Sequence, residues 1–225
     1  MTWVKICGTT NLEDALTAID AGTEALGFVF YEKSPRKIDV EAAREIVSQL
    51  PGNVEKVGVF VNELPERVAR TADEVGLTAV QLHGDEHGNS SSQVSNGPRK
   101  LFVAIPVSLL SQAGKGNKSA GLTWFSAHPK ACSAIFLDSG TPEQRGGTGK
   151  TFDWEDARPW VSLLSEKFRI VVAGGLTPAN VGDAMRLLRP WGVDVASGVE
   201  LKPGKKDPEK VRAFVQAVRR AEKSI

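Results

Sequence analysis

Two residues of this chain, Cys7 and Asp138, could carry out acid–base chemistry. Cys7 closes an apolar run and precedes Gly8, and Asp138 closes the apolar run 135–137. A carboxyl can donate a proton to a substrate, and a thiol can accept one if nearby donors or cations raise its thiolate fraction. This pair predicts proton transfer on a bound molecule. For Cys7 taken by itself, the alternative is a small buried apolar side chain.

Glycine-rich turns follow the last two predicted strands. One contains Gly174 and Gly175, and the other contains Ser197 and Gly198. Because glycine has no Cβ, backbone N–H groups in such turns can approach a ligand closely. Two of these turns after adjacent strands predict a phosphate-binding site, although tight turns also favour glycine.

A third glycine-rich segment, residues 146–151, resembles a nucleotide-binding loop only superficially. The Walker spacing requires a glycine separated by four residues from Gly149, the glycine of its Gly-Lys pair, and position 144 is Gln. We therefore interpret this segment as a mobile loop that closes over the ligand. The alternative is a surface turn.

The histidines and cysteines do not suggest a metal site. His83, His87 and His128 are scattered, and neither Cys7 nor Cys132 belongs to a cluster with ligand spacing. Two cysteines without a repeated framework are typical of a reducing compartment. Cys132 is expected to be structural.

Charge and length exclude several classes of protein. The 225 residues carry 28 Lys and Arg against 27 Asp and Glu, a net charge of +1. This balance does not favour nucleic acid or anionic lipid as a partner. We see no leader segment and no apolar run of the roughly 20 residues that cross a bilayer. We expect a cytoplasmic protein.

The elements that would position these residues form an alternating pattern. Short apolar runs alternate with segments of helical periodicity, which predicts a parallel α/β sheet. Eight such units without a change in composition favour a single closed (β/α)8 TIM barrel over residues 1–225, rather than an open doubly wound sheet. The predicted strands are 3–7, 25–30, 57–61, 79–82, 100–107, 134–138, 170–173 and 193–196.

Helix boundaries are predicted where capping residues and glycines occur. Gly22, Gly76 and the Pro51-Gly52 pair should end the first three helices. Thr177-Pro178 and Asp207-Pro208 should begin the last two. Residues 89–97 specify the fourth helix poorly, and residues 108–130 predict an irregular loop with one short helix.

Ten short segments, in order and over nearly the whole chain, resemble the phosphoribosylanthranilate isomerase family of tryptophan biosynthesis. Residues 89–130 depart from the family pattern, because this stretch is longer and more polar than expected. The matching segments are KICG at 5–8, GFVF at 27–30, SPR at 34–36, GVFVN at 58–62, QLHG at 81–84, LD at 137–138, GGTGKTFDW at 146–154, GGLTPANV at 174–181, VDVASGVE at 193–200 and PGKKD at 203–207.

The resemblance implies an Amadori rearrangement of N-(5-phosphoribosyl)anthranilate without a cofactor or a metal, by a monomer or a homodimer. It implies that Asp138 is the general acid, that Cys7 is the general base, and that Arg36 holds the substrate carboxylate. Without the resemblance, Arg36 could equally be a solvated charge in a loop. It also implies that the substrate phosphate is bound by Gly174, Gly175, Ser197 and Gly198. The mobile loop would contact the substrate through Gly149 and Lys150.

Three further residues have two interpretations each. Asp194 could contact a ribose hydroxyl or be a buried carboxylate satisfied by backbone donors. Gln81 and His83 could line the anthranilate pocket or cap the fourth strand.

Other functions remain open at this point. Indole-3-glycerol-phosphate synthase and sugar-phosphate epimerases share the terminal glycine pattern. The synthase is expected to need a catalytic lysine–glutamate set and an N-terminal extension, and the epimerase to need metal-ligand histidines. A non-catalytic barrel that binds a phosphorylated metabolite would have no use for both Cys7 and Asp138.

Overall fold

The protein forms a closed barrel of eight parallel strands, which confirms the predicted fold. The computed structural model describes residues 1–83, 99–108, 110, 132–140 and 151–225. The predicted fourth helix, most of the 108–130 loop and the glycine-rich segment 146–150 lie outside these residues. The strands are β1 (Trp3–Cys7), β2 (Ala25–Val29), β3 (Glu55–Phe60), β4 (Ala79–Leu82), β5 (Lys100–Pro106), β6 (Ala134–Asp138), β7 (Ile170–Val172) and β8 (Gly192–Val195).

The barrel closes through β1, which pairs with both β2 and β8. Ile6 lies opposite Leu26 on one side and opposite Val195 on the other. Successive side chains of a strand point to opposite faces, so Val4 and Ile6 pack outward against the helices, while Trp3, Lys5 and Cys7 point into the barrel. The alternation places the charged and reactive side chains of β1 inside.

Aromatic side chains fill the lower part of the barrel interior. The Trp3 ring packs edge-on against Phe102 and Phe136, with ring centroids 5.7 Å and 6.0 Å away. Edge-to-face packing of this kind is a favourable geometry for aromatic rings. These rings pack across the interior on the N-terminal side of the cavity that opens at the C-terminal ends of the strands.

Six described helices surround the barrel, and three of them start at side-chain caps. Asn11, Asp153 and Asp207 each accept backbone N–H groups of the first turn. None of the described helices is long and apolar enough to cross a membrane. The helices are α1 (Leu12–Asp20), α2 (Val40–Val47), α3 (Pro65–Val75), α4 (Trp154–Ser165), α5 (Val181–Leu188) and α6 (Pro208–Glu222).

Three predicted helix boundaries have different outcomes. α3 ends at Gly76, which adopts φ +78°, and α6 begins after Asp207, both as predicted. The prediction that α5 begins at Thr177-Pro178 is wrong, because α5 begins at Val181. The Asn180 side chain accepts the Thr177 N–H at 2.7 Å and donates to the Gly175 carbonyl at 3.0 Å, so residues 177–180 form a turn instead.

A short hairpin that the sequence did not predict follows β8. After a 3₁₀ turn at Ser197–Val199, β9 (Glu200–Lys202) pairs with β10 (Lys205–Lys206). Gly204 turns the chain with φ +80°. The hairpin matters for function because it brings Glu200 and Lys206 to the mouth of the barrel, beside the end of β1.

Candidate active site

A cavity of about 480 Å³ opens at the C-terminal ends of the strands. In parallel barrels this face carries the ligand site. Gly198 lies just behind the wall, against Leu176, whereas Gly149 and Lys150 fall outside the described residues. The predicted site residues that line the cavity are Cys7, Arg36, Gln81, His83, Asp138, Gly174, Gly175, Asp194 and Ser197.

Cys7 and Asp138 end two non-adjacent strands that line different walls of this cavity. Going round the barrel from β1, the strands β8 and β7 separate it from β6. Asp138 is buried, with 7% of the residue exposed, and its Oδ1 accepts the Gly140 N–H at 2.6 Å. This hydrogen bond restricts the carboxyl to one orientation, so the thiol and the carboxyl face a shared space from rigid elements.

The environment of Cys7 keeps its thiol protonated. Burial raises the pKa of Cys7, and the Asp194 carboxylate adds to this effect, while Lys5 and Lys206 oppose it. Burial disfavours the thiolate because it removes the charge from water. Formation of the thiolate therefore depends on the nearby cations.

Asp194 forms a buried ion pair with Lys5. The two residues are neighbours in the register of β1 and β8, and Lys5 Nζ lies 3.0 Å from Asp194 Oδ1. Neither of the two interpretations of Asp194 from the sequence anticipated this partner. Burial raises the pKa of Asp194, and Lys5 opposes the rise. Burial would by itself lower the pKa of Lys5, but Asp194 and Cys7 together raise it above its ordinary value.

Arg36 reaches the cavity from the segment after β2 and is held by Glu200. Its Nε lies 2.9 Å from Oε1 and its Nη2 lies 2.8 Å from Oε2 of that carboxylate. Glu200 also accepts from Lys206 Nζ at 3.0 Å. Lys206 Nζ in turn donates to the Cys7 carbonyl at 2.5 Å. This chain of contacts connects the predicted carboxylate-binding side chain to the strand that carries the predicted base.

Glu200 is ionised because its two cationic neighbours outweigh its burial. Burial by itself would raise the pKa of Glu200, but hydrogen bonds from Arg36 and the charge of Lys206 hold it below its usual range. A two-point arginine–carboxylate pair also fixes the plane of the guanidinium. Arg36 is therefore oriented before any ligand arrives.

The glycines at the ends of β7 and β8 are required by close packing. Gly174 has φ +78°, and a methyl group at this position would overlap Ser139. A methyl group at Gly198 would overlap the carbonyl oxygen of Leu176. These positions bring the turns after β6, β7 and β8 into direct contact, and they leave backbone groups of Gly174 and Gly175 at the cavity wall.

Gln81 and His83 both lie on the cavity wall at the end of β4. Gln81 is 3% exposed, and its Oε1 has no hydrogen-bond partner among the residues that the structure describes. A buried acceptor without a partner costs about 1–3 kcal/mol. Gln81 therefore offers an acceptor to a ligand. The backbone N–H of His83 donates to the Phe60 carbonyl at 2.9 Å, which anchors this turn to β3.

Among the described residues, the lining of the cavity does not include Cys132. Over the described ranges, no group of three or more His, Cys, Asp or Glu side chains could hold a metal ion. Burial raises the pKa of Cys132 to about 12, and its thiol donates to the Ala134 carbonyl at 3.2 Å.

Sequence reasoning missed three charged residues near the site, namely Lys5, Glu200 and Lys206. A signal for Lys5 was present, because a lysine two positions before Cys7 in an apolar strand must share its face of the sheet. Glu200 and Lys206 lay within matching segments, but nothing in the local sequence indicated that a hairpin would bring them to the mouth of the barrel.

The fold and the cavity together define a class, a (β/α)8-barrel enzyme with a thiol and a carboxyl facing one ligand site beside glycine-rich turns. Comparison with known proteins agrees. The sequence profile of the N-(5'-phosphoribosyl)anthranilate (PRA) isomerase family matches residues 4–217. The chain belongs to this family, which confirms the resemblance seen in the sequence.

Individual relatives support the assignment. N-(5'-Phosphoribosyl)anthranilate isomerase of Geobacter sp. (strain M21) is 50% identical over 216 residues, covering 96% of this chain and 97% of the relative. The crystal structure of the isomerase from Thermotoga maritima matches with a TM-score of 0.83 and 43% identity, covering 97% and 99% of the two chains. A second isomerase structure, in complex with reduced 1-(o-carboxyphenylamino)-1-deoxyribulose 5-phosphate, matches with a TM-score of 0.80 and 40% identity, covering 97% and 99%.

Proposed function

We propose that this chain converts N-(5'-phosphoribosyl)anthranilate into 1-(2-carboxyphenylamino)-1-deoxyribulose 5-phosphate in tryptophan biosynthesis, with Cys7 as the general base and Asp138 as the general acid. The observation that carries the assignment of roles is that these two side chains line one cavity from two non-adjacent strands. The substrate is a small phosphorylated molecule, and the reaction is an isomerisation.

The rest of the cavity offers a binding group for each end of such a substrate. The turns with Gly174, Gly175, Ser197 and Gly198 would receive the phosphate through backbone N–H groups. Arg36 would hold the anthranilate carboxylate, because a guanidinium matches the geometry of a carboxylate. Nε and Nη2 of Arg36 are bound by Glu200. Nη1, which donates no hydrogen bond within the described part of the chain, would face the substrate.

The reaction then proceeds by a proton transfer from Asp138, a proton transfer to Cys7 and a final tautomerisation. Asp138 donates a proton to the furanose ring oxygen, and the bond from this oxygen to C1 breaks to leave a protonated Schiff base between C1 and the anthranilate nitrogen. The Cys7 thiolate takes the proton from C2, and the electron pair of the C2–H bond neutralises the nitrogen to form an enolamine. The enolamine takes a proton at C1 and loses the proton of its 2-hydroxyl, which yields the ketose. No atom is gained or lost overall.

The test is an assay that follows the loss of fluorescence of freshly generated N-(5'-phosphoribosyl)anthranilate without added metal. The wild-type chain should accelerate the loss, and Cys7→Ser and Asp138→Asn should each lower kcat by at least about 100-fold, the lower range for acid–base catalysis. Cys132→Ser is the matched control for Cys7→Ser and should retain full activity. Wild-type turnover by either active-site variant would remove that residue from the mechanism.

A further inference from the structure

We propose that Lys5 is a positioning residue for the reaction, because its ammonium, locked in place by Asp194, provides the fixed positive charge beside which Cys7 becomes a thiolate. This inference rests on the proposed role of Cys7 as the base. It assigns a task to a residue that touches neither the predicted phosphate site nor the predicted carboxylate site.

The first step of the argument is the shared space of Lys5 and Cys7. Both side chains point into the barrel from β1, two residues apart. They converge over Gly27 of β2, where an added methyl group would lie 2.8 Å from Cys7 Sγ and 3.0 Å from Lys5 Cε. A glycine at this position therefore creates the room in which the lysine and the thiol lie side by side.

The second step is that Lys5 cannot move away from this position. Its side chain is fully buried, its Nζ lies 3.0 Å from Asp194 Oδ1, and its Nζ lies 5.2 Å from the centre of the Phe136 ring. A buried lysine needs such partners to remain charged. Because the Asp194 and Cys7 charges raise the pKa of Lys5, it stays protonated and acts as a fixed cation.

The third step is the balance of charges around the Cys7 thiol. Three charged residues act on the thiol, namely Lys5 of β1, Asp194 of β8 and Lys206 of β10. Asp138 of β6 in turn acts on Asp194. Lys206 is already paired with Glu200 at 3.0 Å. Lys5 is paired with Asp194, but it is the cation with the larger effect on the thiol. Removing it should leave the thiolate beside an unscreened carboxylate.

The experiment measures the reactivity of Cys7 without using turnover. Full-length protein in a Cys132→Ser background is treated with iodoacetamide from pH 6 to pH 11, and modification of Cys7 is followed by mass spectrometry. Only the thiolate reacts, so the rate profile reports the ionisation of Cys7. Lys5→Met should shift the profile to higher pH by at least one unit, so that the rate at pH 8 is tenfold lower. Lys5→Arg should restore most of the difference.

A partner variant keeps the test decisive if Lys5→Met folds poorly. Asp194→Asn removes the negative charge next to Cys7 and keeps the shape of the side chain. It should therefore shift the profile to lower pH and increase the rate at pH 8 several-fold. Adding Lys5→Met to Asp194→Asn should reverse this change. Structural damage alone would not shift the two profiles in opposite directions. A profile that Lys5→Met leaves unchanged, in either background, overturns the proposal.

Turnover provides a second and separate readout. In Lys5→Met, kcat should fall at least tenfold at pH 7 and recover as the pH rises, while KM stays within about threefold. If the wild-type chain shows no isomerase activity but the alkylation profiles shift as expected, the proposed function fails and the pairing of Lys5 with Cys7 stands. If activity is normal and the profiles do not shift, the proposed function stands and the proposed role of Lys5 fails.

Discussion

Arg36 and Glu200, 164 residues apart in the chain, form a two-point ion pair at the mouth of the barrel, with distances of 2.9 Å and 2.8 Å. Glu200 is in turn held by Lys206, which also binds the backbone of Cys7. The guanidinium that would bind the substrate carboxylate is therefore oriented by a network that reaches the predicted base.

Glu200→Gln should weaken substrate binding more than it slows chemistry. The amide keeps the size of the side chain but loses the charge that fixes the Arg36 plane, and a freed side chain costs about 0.5–1.5 kcal/mol to immobilise again. We expect KM to rise about tenfold, since 1.4 kcal/mol corresponds to tenfold, with kcat within about threefold. Steady-state kinetics measures both. Glu32→Gln is the control, because the Glu32 carboxylate pairs with Lys37 on the surface. An unchanged KM in Glu200→Gln would contradict the orienting role.

The contribution of Glu200 to stability should disappear in acid. Its folded pKa lies below the usual value, so its stabilising effect is complete above the unfolded pKa of about 4.3 and is lost as the pH falls through the folded pKa. At pH 7, Glu200→Gln should be less stable than the wild type by about 1–3 kcal/mol. This difference should shrink below about pH 4. Urea unfolding at pH 7, 5 and 3.5 measures it, and a difference independent of pH would argue against an ionised Glu200.

Gly198→Ala should damage both folding and the predicted phosphate site. The added methyl group would meet the backbone of Leu176, which cannot move without displacing the turn after β7. We expect a loss of about 3 kcal/mol or more in the free energy of unfolding and a higher KM. Gly52→Ala is the matched control, because a methyl group there meets open space, and it should change stability by less than about 1 kcal/mol. Equal effects of the two substitutions would show that the contact with Leu176 is unimportant.

Gln81→Met should stabilise the protein while lowering its activity. The substitution removes a buried carbonyl oxygen that has no partner in the described structure, so the melting temperature should rise by a few degrees, corresponding to about 1 kcal/mol. If the same oxygen accepts a hydrogen bond from the substrate, kcat/KM should fall about tenfold. Gln49→Met, in the exposed turn after α2, should change neither quantity. Full activity in Gln81→Met would exclude Gln81 from substrate binding.

The order of the elements and the ends of the strands were readable from the sequence. Apolar runs alternating with helical periodicity predicted the barrel, and the polar or glycine residue at the end of each run located Cys7, Asp138 and the turns after β7 and β8. Local signals were sufficient wherever the stabilising contact is itself local. The Asp207 cap of α6 and the Gly76 end of α3 are examples. The start of α5 was misplaced because the Asn180 side chain supports a turn that competes with the helix.

The partners of the charged residues were decided only by the closed barrel. Periodicity shows on which face of a strand a side chain lies, but it does not show which other strand contributes the neighbouring residue. Lys5 and Asp194 are 189 residues apart and meet because β1 closes against β8, and Glu200 meets Arg36 because the β9–β10 hairpin folds back over the end of β1. The sequence by itself determined which groups could do chemistry. Closure of the barrel determined which charged residues lie next to these groups, because a buried charge can pair only with residues that the fold places within contact distance.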